Sequence, residues 1–155
     1  MSTEAQAGRI VVGVDGSAGS IRALREADRI ARGTGAWLDV VSCWDVPSNA
    51  PRAVGMIADE IEEVARQRLQ ENVASTLGSP VPENVSTSLV RGQAQQKLIE
   101  LSDGSDMLVV GRRGFGSVAG LFMGSVSQAC VGHAHCPVLV VNADRINKSL
   151  RDVAS

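Results

Sequence analysis

The residues best suited to chemistry lie in the stretch GRRGFGSVAGLFMGSVS, residues 111–127, directly after the apolar run MLVV at 107–110. Gly111, Gly114, Gly116 and Gly120 crowd its first part, and Gly124-Ser125-Val126-Ser127 closes it. A buried strand that leads through glycines into a helix start is suited to holding phosphate. The helix start exposes unpaired backbone N–H groups and the positive end of the helix dipole. Glycines let a backbone come close to an anion with no Cβ in the way. Ser125 and Ser127 add hydroxyl donors, and Arg112 and Arg113 add positive charge. The same stretch read without a ligand is a loop followed by a serine-rich helix cap. Two familiar phosphate motifs do not fit. The Lys-Ser/Thr of the P-loop is missing, and the position is too late in the chain for the first turn of a dinucleotide fold.

The elements that must position this stretch follow from hydrophobic pattern and punctuation. RIVVGVD at 9–15 is short, β-branched and almost wholly apolar, as a parallel strand covered on both faces must be. It stops at Asp15-Gly16-Ser17. A helical stripe follows with Ala23, Leu24, Ala27, Ile30 and Ala31, capped by Ser17 or Ser20 and ended by Gly33 and Gly35. WLDVVSCW at 37–44 reads as a second strand. Residues 45–56 carry Pro47, Asn49, Pro51 and Gly55 and read as a loop. Helical spacing of Ile57, Ile61, Val64, Ala65, Leu69, Val73 and Leu77 predicts a helix over 57–77. Val85–Val90 predicts a third strand. Residues 93–103 predict a short helix with Ala94, Leu98 and Leu101 inward. DMLVVG at 106–111 is a fourth strand, 125–134 a helix, and PVLVV at 137–141 a fifth strand. Alternating strands and helices imply an α/β domain with a parallel sheet and right-handed crossovers. In such a sheet ligands bind beyond the carboxyl ends of the strands, where strand order reverses. The glycine stretch leaves one such end.

Composition narrows the function. The 155 residues suit one domain. A net charge of −2 and 3% aromatics, with no Tyr, favour neither a nucleic-acid surface nor a base-stacking platform. No apolar run approaches the ~18 residues of a membrane span, and the polar start MSTEAQAGR lacks a signal core. The expected location is the cytoplasm. Cys43, Cys130 and Cys136 do not suggest a disulfide framework. His133, His135 and Cys136 beside Cys130 lack the paired spacing of a zinc site, so no resident metal is expected. Cys43 and Cys130 read as small buried apolar residues, and Trp37 and Trp44 as packing or pocket rim.

The spacing Gly111, two residues, Gly114, nine residues, Gly124-Ser125 resembles the nucleotide-binding signature of the universal stress protein family, in its ATP-binding branch. VVGVDGSAGSIRAL at 11–24 is similar to the family's opening strand and turn. VRGQAQQKLIELSDGSDMLVVGRRG at 90–114 and HCPVLVV at 135–141 are similar to its later strands. The resemblance covers about residues 9–141. It implies an open, doubly wound, Rossmann-like five-stranded parallel sheet of order 3-2-1-4-5, with its switch point between strands 1 and 4. It further implies a domain over 9–142, between a disordered start at 1–8 and a polar tail at 143–155.

By the same resemblance Gly111, Gly114, Gly124, Ser125 and Val126 hold phosphates and ribose, with Ser127 close by. Gly13, Val14 and Asp15 line the adenosine, and Asp15 reaches ribose or a nucleotide-bound magnesium ion. Cys43 marks where strand 2 meets adenine, and Val110, Arg112 and Arg113 complete the set. The expected ligand is ATP, with or without Mg2+. The expected assembly is a homodimer that pairs strand 5, Pro137–Val141, between copies. The competing functions are a nucleotide-dependent regulatory protein, a slow ATPase or phosphoryl-transfer enzyme, and a cyclic AMP binder. A receiver domain needs an acidic cluster that VVGVDGS does not supply. Asp15 is the one obvious carboxylate at the site and no lysine lies in the loop. Binding parts are present and catalytic parts are few, so no catalytic residue is assigned.

Overall fold

The computed structural model describes residues 7–49, 54–115 and 122–143. Gly116, Gly120, most of the N-terminal stretch 1–8 and most of the tail 143–155 lie outside the described residues, as does part of the 45–56 loop. The chain runs β1 Arg9–Gly13, α1 Ala18–Thr34, β2 Trp37–Trp44, α2 Val54–Leu77, β3 Val85–Arg91, α3 Ala94–Ser102, β4 Met107–Gly111, α4 Ser125–His133 and β5 Val138–Val141. The five strands form one sheet of order β3-β2-β1-β4-β5, and every pairing is parallel.

Strand parity sorts the two sides of the sheet. Ile10 and Val12 of β1, Val40 of β2 and Val109 of β4 pack with Leu24 and Ala27 of α1 and Val73 of α2. Val11, Val41, Leu108 and Val110 point the other way, toward Leu98 of α3 and Cys130 of α4. Both faces are covered, which is why the central strands are apolar without alternation. Leu24, Leu38 and Leu108 are fully enclosed, and each such side chain contributes about 1.5–3 kcal/mol of burial.

Boundaries shift slightly from the sequence expectation. β1 ends at Gly13, so Val14 and Asp15 have left the strand. α1 runs through Gly33 and stops at Gly35, whose φ of 72° closes a left-handed cap, its N–H donating to the Ala31 carbonyl. α2 starts at Val54, three residues before the first clear apolar repeat. Val64, expected on its inward stripe, is 47% exposed. Leu69 and Val73, expected on the same stripe, do pack into the core.

Register aligns the ends that matter. Val12 pairs with Val40 on one side and with Val109 on the other. The Val14 N–H donates to the Val41 carbonyl (2.9 Å), and the Arg112 N–H donates to the Val141 carbonyl (2.9 Å). The turn after β1 and the glycine loop after β4 therefore leave the sheet side by side. β1 connects onward to β2 and β4 to β5, in opposite directions, so a crevice opens between them.

Candidate functional site

The crevice is a cleft of about 160 Å³. Of the thirteen residues expected from sequence, Gly13, Val14, Asp15, Cys43, Val110, Gly111, Arg113, Gly114, Gly124, Ser125, Val126 and Ser127 line it. Arg112 does not; its guanidinium lies over the Phe122 ring, 5.6 Å from the centroid. Ser17, Ser20, Val41, Ala94, Leu98 and Phe115 line the cleft too and were not singled out as site residues. One of these, Leu98, carried a readable signal. A glycine ending a strand admits a large side chain from the crossing helix, and a Cβ on Gly13 would lie 2.8 Å from Leu98 Cδ1.

The glycines of the loop have separate reasons. A Cβ on Gly111 would meet the Gly19 carbonyl carbon at 2.6 Å. Gly111 thus lets α1 pack against the end of β4. On Gly114 a Cβ would fall 2.5 Å from Asp15 Oδ2. The expectation that these two glycines serve an anion is therefore incomplete, since internal contacts already require them. Gly124 differs. It is buried, its φ is an unremarkable −73°, and the nearest atom to an added Cβ is Arg113 Cα at an ordinary 3.5 Å. Neither backbone conformation nor packing among the described residues demands glycine there.

Gly124 is also the N-cap of α4, and it brings no side chain to the helix start. The first bond into the helix is from the Gln128 N–H to the Gly124 carbonyl (3.0 Å). The N–H groups of Ser125, Val126 and Ser127 find no acceptor among the described residues. Ser125 is exposed at this end. Ser127 is not available as a donor to a ligand in the way its type suggests. Its Oγ sits 2.7 Å from the Arg112 carbonyl and 3.0 Å from the Gly124 carbonyl. It is 2% exposed and ties the loop to the helix.

Across the cleft, the turn after β1 is closed by its own side chains. The Ser17 hydroxyl accepts from the Ser20 N–H (3.3 Å), and the Ser20 hydroxyl accepts from the N–H groups of Asp15 (3.2 Å) and Gly16 (3.1 Å). The Asp15 carboxylate accepts from the Ser17 N–H at Oδ1 (2.9 Å) and from the Phe115 N–H at Oδ2 (3.1 Å). Burial pushes its pKa up, but the hydrogen bonds from Ser17, Phe115 and Ser20 outweigh this and leave it below its ordinary value.

The opposite end of the cleft is apolar, built from Val41, Cys43, Ala94 and Leu98. Burial raises the Cys43 thiol to about 11, and Cys130 likewise. Both are therefore protonated and poorly nucleophilic near neutral pH. Another acid overlooked in the sequence, Asp39, is 8% exposed within β2. It accepts from Arg9 Nη2 (2.9 Å), Ser88 Oγ (2.9 Å) and Ser86 Oγ (3.3 Å), and so ties three strands. It does not line the cleft. Among the described residues no helix is long and apolar enough to cross a membrane.

Residues 7–142 match the model of the universal stress protein family. A universal stress protein of Thermus aquaticus is 33% identical over 137 residues, covering 85% of this chain and 96% of the relative. One from Mycolicibacterium smegmatis is 33% identical over 141 residues, covering 87% of this chain and 48% of the relative. This chain thus spans about half the length of the first curated relatives it matches. Among solved structures, a universal stress protein in complex with cAMP superposes with a TM-score of 0.66 at 29% identity, over 88% of this chain and 98% of that one. The parallel sheet, the cleft at its switch point and the match over nearly the whole chain agree: the chain belongs to the universal stress protein family.

Proposed function

We propose that this protein binds ATP in the cleft and acts as a nucleotide-dependent regulator in stress response. The observation that carries this reading is the open start of α4. Three backbone N–H groups with no acceptor among the described residues stand beside a glycine that no described neighbour requires. That is a fit for phosphate oxygens. The amides of Ser125, Val126 and Ser127 and the Ser125 hydroxyl hold phosphate. Gly124 admits its close approach, and Arg113 adds charge from the cleft wall. The apolar end at Val41, Cys43, Ala94 and Leu98 takes the base. A nucleotide so held favours the conformation, or the partner, that fits the bound form.

Turnover is not what these parts favour. Amides and a hydroxyl that bind the ground state do not by themselves lower a barrier, and both oxygens of Asp15 already accept main-chain donors. We place the protein in the cytoplasm, where three unpaired cysteines suit a reducing compartment. The working unit is a homodimer through β5. That strand is an edge of the sheet, and its Val138, Leu139 and Val140 are only partly buried within one copy. Light scattering at micromolar concentration is expected to give a dimer for the parent and a monomer for Val138→Lys/Val140→Lys; a monomeric parent contradicts the pairing.

A second reading, cyclic AMP as the ligand, is favoured by the structural relative solved with cAMP. Mass spectrometry of small molecules released from the purified, denatured protein separates the two. ATP is the expected species. Recovery of cyclic AMP alone moves the assignment to the second reading, and titrations in which neither nucleotide binds overturn both.

A further inference from the structure

Asp15 was expected to reach ribose or a nucleotide-bound cation, and the geometry around it points elsewhere. Its two carboxylate oxygens accept from opposite sides of the switch point. Oδ1 takes the Ser17 N–H at the start of α1, and Oδ2 takes the Phe115 N–H, 100 residues away in the glycine loop. Gly114 makes the second contact possible, because a Cβ there would lie 2.5 Å from Oδ2. The Asp15 main chain is held as well, its N–H donating to Ser20 Oγ at 3.2 Å. Gly16, with φ of 87°, turns the chain so that one carboxylate faces both donors.

Resting on the reading that the cleft binds ATP, we propose that Asp15 is a positioning residue: it acts on nucleotide binding through the glycine loop and does not touch the nucleotide. The tie clamps the loop at Phe115 to the turn after β1. The loop then continues into the α4 start that holds phosphate. A free carboxylate beside a triphosphate repels it. One that already accepts from main-chain donors is better suited to holding a loop than to holding an anion. Around the carboxylate, α1 offers neutral Ser17 and Ser20. Neutral Asn72 of α2 lies near the Gly16 turn. Arg113 is the other charged residue lining the cleft. The depressed pKa agrees with an ionised tie. The clamp is complete above the ordinary carboxylate range and is lost as pH falls through the lower folded value.

The test compares affinities for ATP and for 2′,3′-dideoxy-ATP, each with and without magnesium, in the parent, Asp15→Asn, Gly114→Ala and the double variant. Asn can accept on one oxygen only, so its NH2 group opposes either the Ser17 or the Phe115 N–H. Gly114→Ala breaks the same contact from the other side. Each single change is expected to weaken all four titrations by one common factor, roughly tenfold. The double variant is expected to be little worse than either single one, because both remove one contact. In nucleotide-free parent protein, the Phe115 amide resonance is expected to titrate together with the Asp15 carboxyl carbon, below the usual carboxylate range. A loss that disappears with the dideoxy sugar or without magnesium means that Asp15 touches the ligand, and overturns the proposal. So does a Phe115 amide that ignores the Asp15 titration. A parent that binds no nucleotide sinks the ATP reading itself, and the amide titration then decides separately whether the Asp15–Phe115 tie exists.

Discussion

Two helices begin at the carboxyl edge of this sheet on either side of one crevice, and they are finished differently. α1 starts with Ser17, whose hydroxyl accepts from the Ser20 N–H, and Ser20 in turn serves the amides of Asp15 and Gly16. α4 starts with Gly124, which offers no side chain, and its first three amides find no acceptor among the described residues. The strand ends that lead into them are alike, MLVVG and RIVVG, each with three fully buried residues between partly buried ends. Parallel-strand physics sets the strands, and the N-cap residue sets what the helix start can do. A self-capped start stabilises the fold. An uncapped start in a cleft is left with donors for something else.

The largest effect expected from this contrast comes from placing the same charge at both starts. Gly124→Asp puts a carboxylate where phosphate belongs and is expected to weaken ATP binding by about 100-fold or more, the scale of a like-charge clash in a low-dielectric site. Ala18→Asp, at the exposed first position of α1, is expected to leave affinity near the parent's. It should add about 0.3–1 kcal/mol through the helix dipole. Calorimetry with circular dichroism reads both. A folded Gly124→Asp that binds like the parent removes α4 from the site.

Next in size are the glycines themselves. Gly111→Ala drives a Cβ into the backbone of Gly19 and is expected to cost about 1–3 kcal/mol of stability in urea unfolding. Gly124→Ala meets nothing closer than 3.5 Å among the described residues and is expected to cost no more than about 1 kcal/mol, the preference of an N-cap for Gly over Ala. The reverse order contradicts the division between a packing glycine and a ligand glycine.

The smallest effects separate the two serine positions. Ser17→Ala removes a cap and is expected to lower stability by about 1 kcal/mol. Ser125→Ala leaves the thermal midpoint unchanged and weakens ATP by roughly fivefold, one hydrogen bond's net worth. If Ser17→Ala proves the one that weakens binding while Ser125→Ala lowers the midpoint, the two helix starts have been assigned the wrong way round.

Much of this was legible from residues alone. RIVVGVD, WLDVVSCW and PVLVV give their strands because an apolar β-branched run has few other uses in a short segment, and Gly35 and Gly78 mark helix ends by the positive φ they adopt. The cleft could be located because Gly111 ends β4 and Asp15 lies just past the end of β1, two strands that the family resemblance places together. What the sequence did not reveal depends on contacts across the fold. Nothing near Asp15 shows that its partner is Phe115, or that the Ser127 hydroxyl is taken up by two carbonyls. Asp39 looks like an ordinary mid-strand acid until β1 and β3 bring Arg9, Ser86 and Ser88 to it. Val64 follows the helical repeat, yet it is exposed, with buried Ala58 and Leu69 of the same helix on either side of it in sequence.

The most direct measurement follows backbone amide resonances of isotope-labelled protein as ATP is added. The expected result is that the amides of Ser125, Val126 and Ser127 shift strongly and saturate together, with one dissociation constant, while those of Ala18, Gly19 and Ser20 move far less. Saturating shifts at the start of α1 with the α4 amides unmoved would contradict the claim that the uncapped helix is the phosphate site.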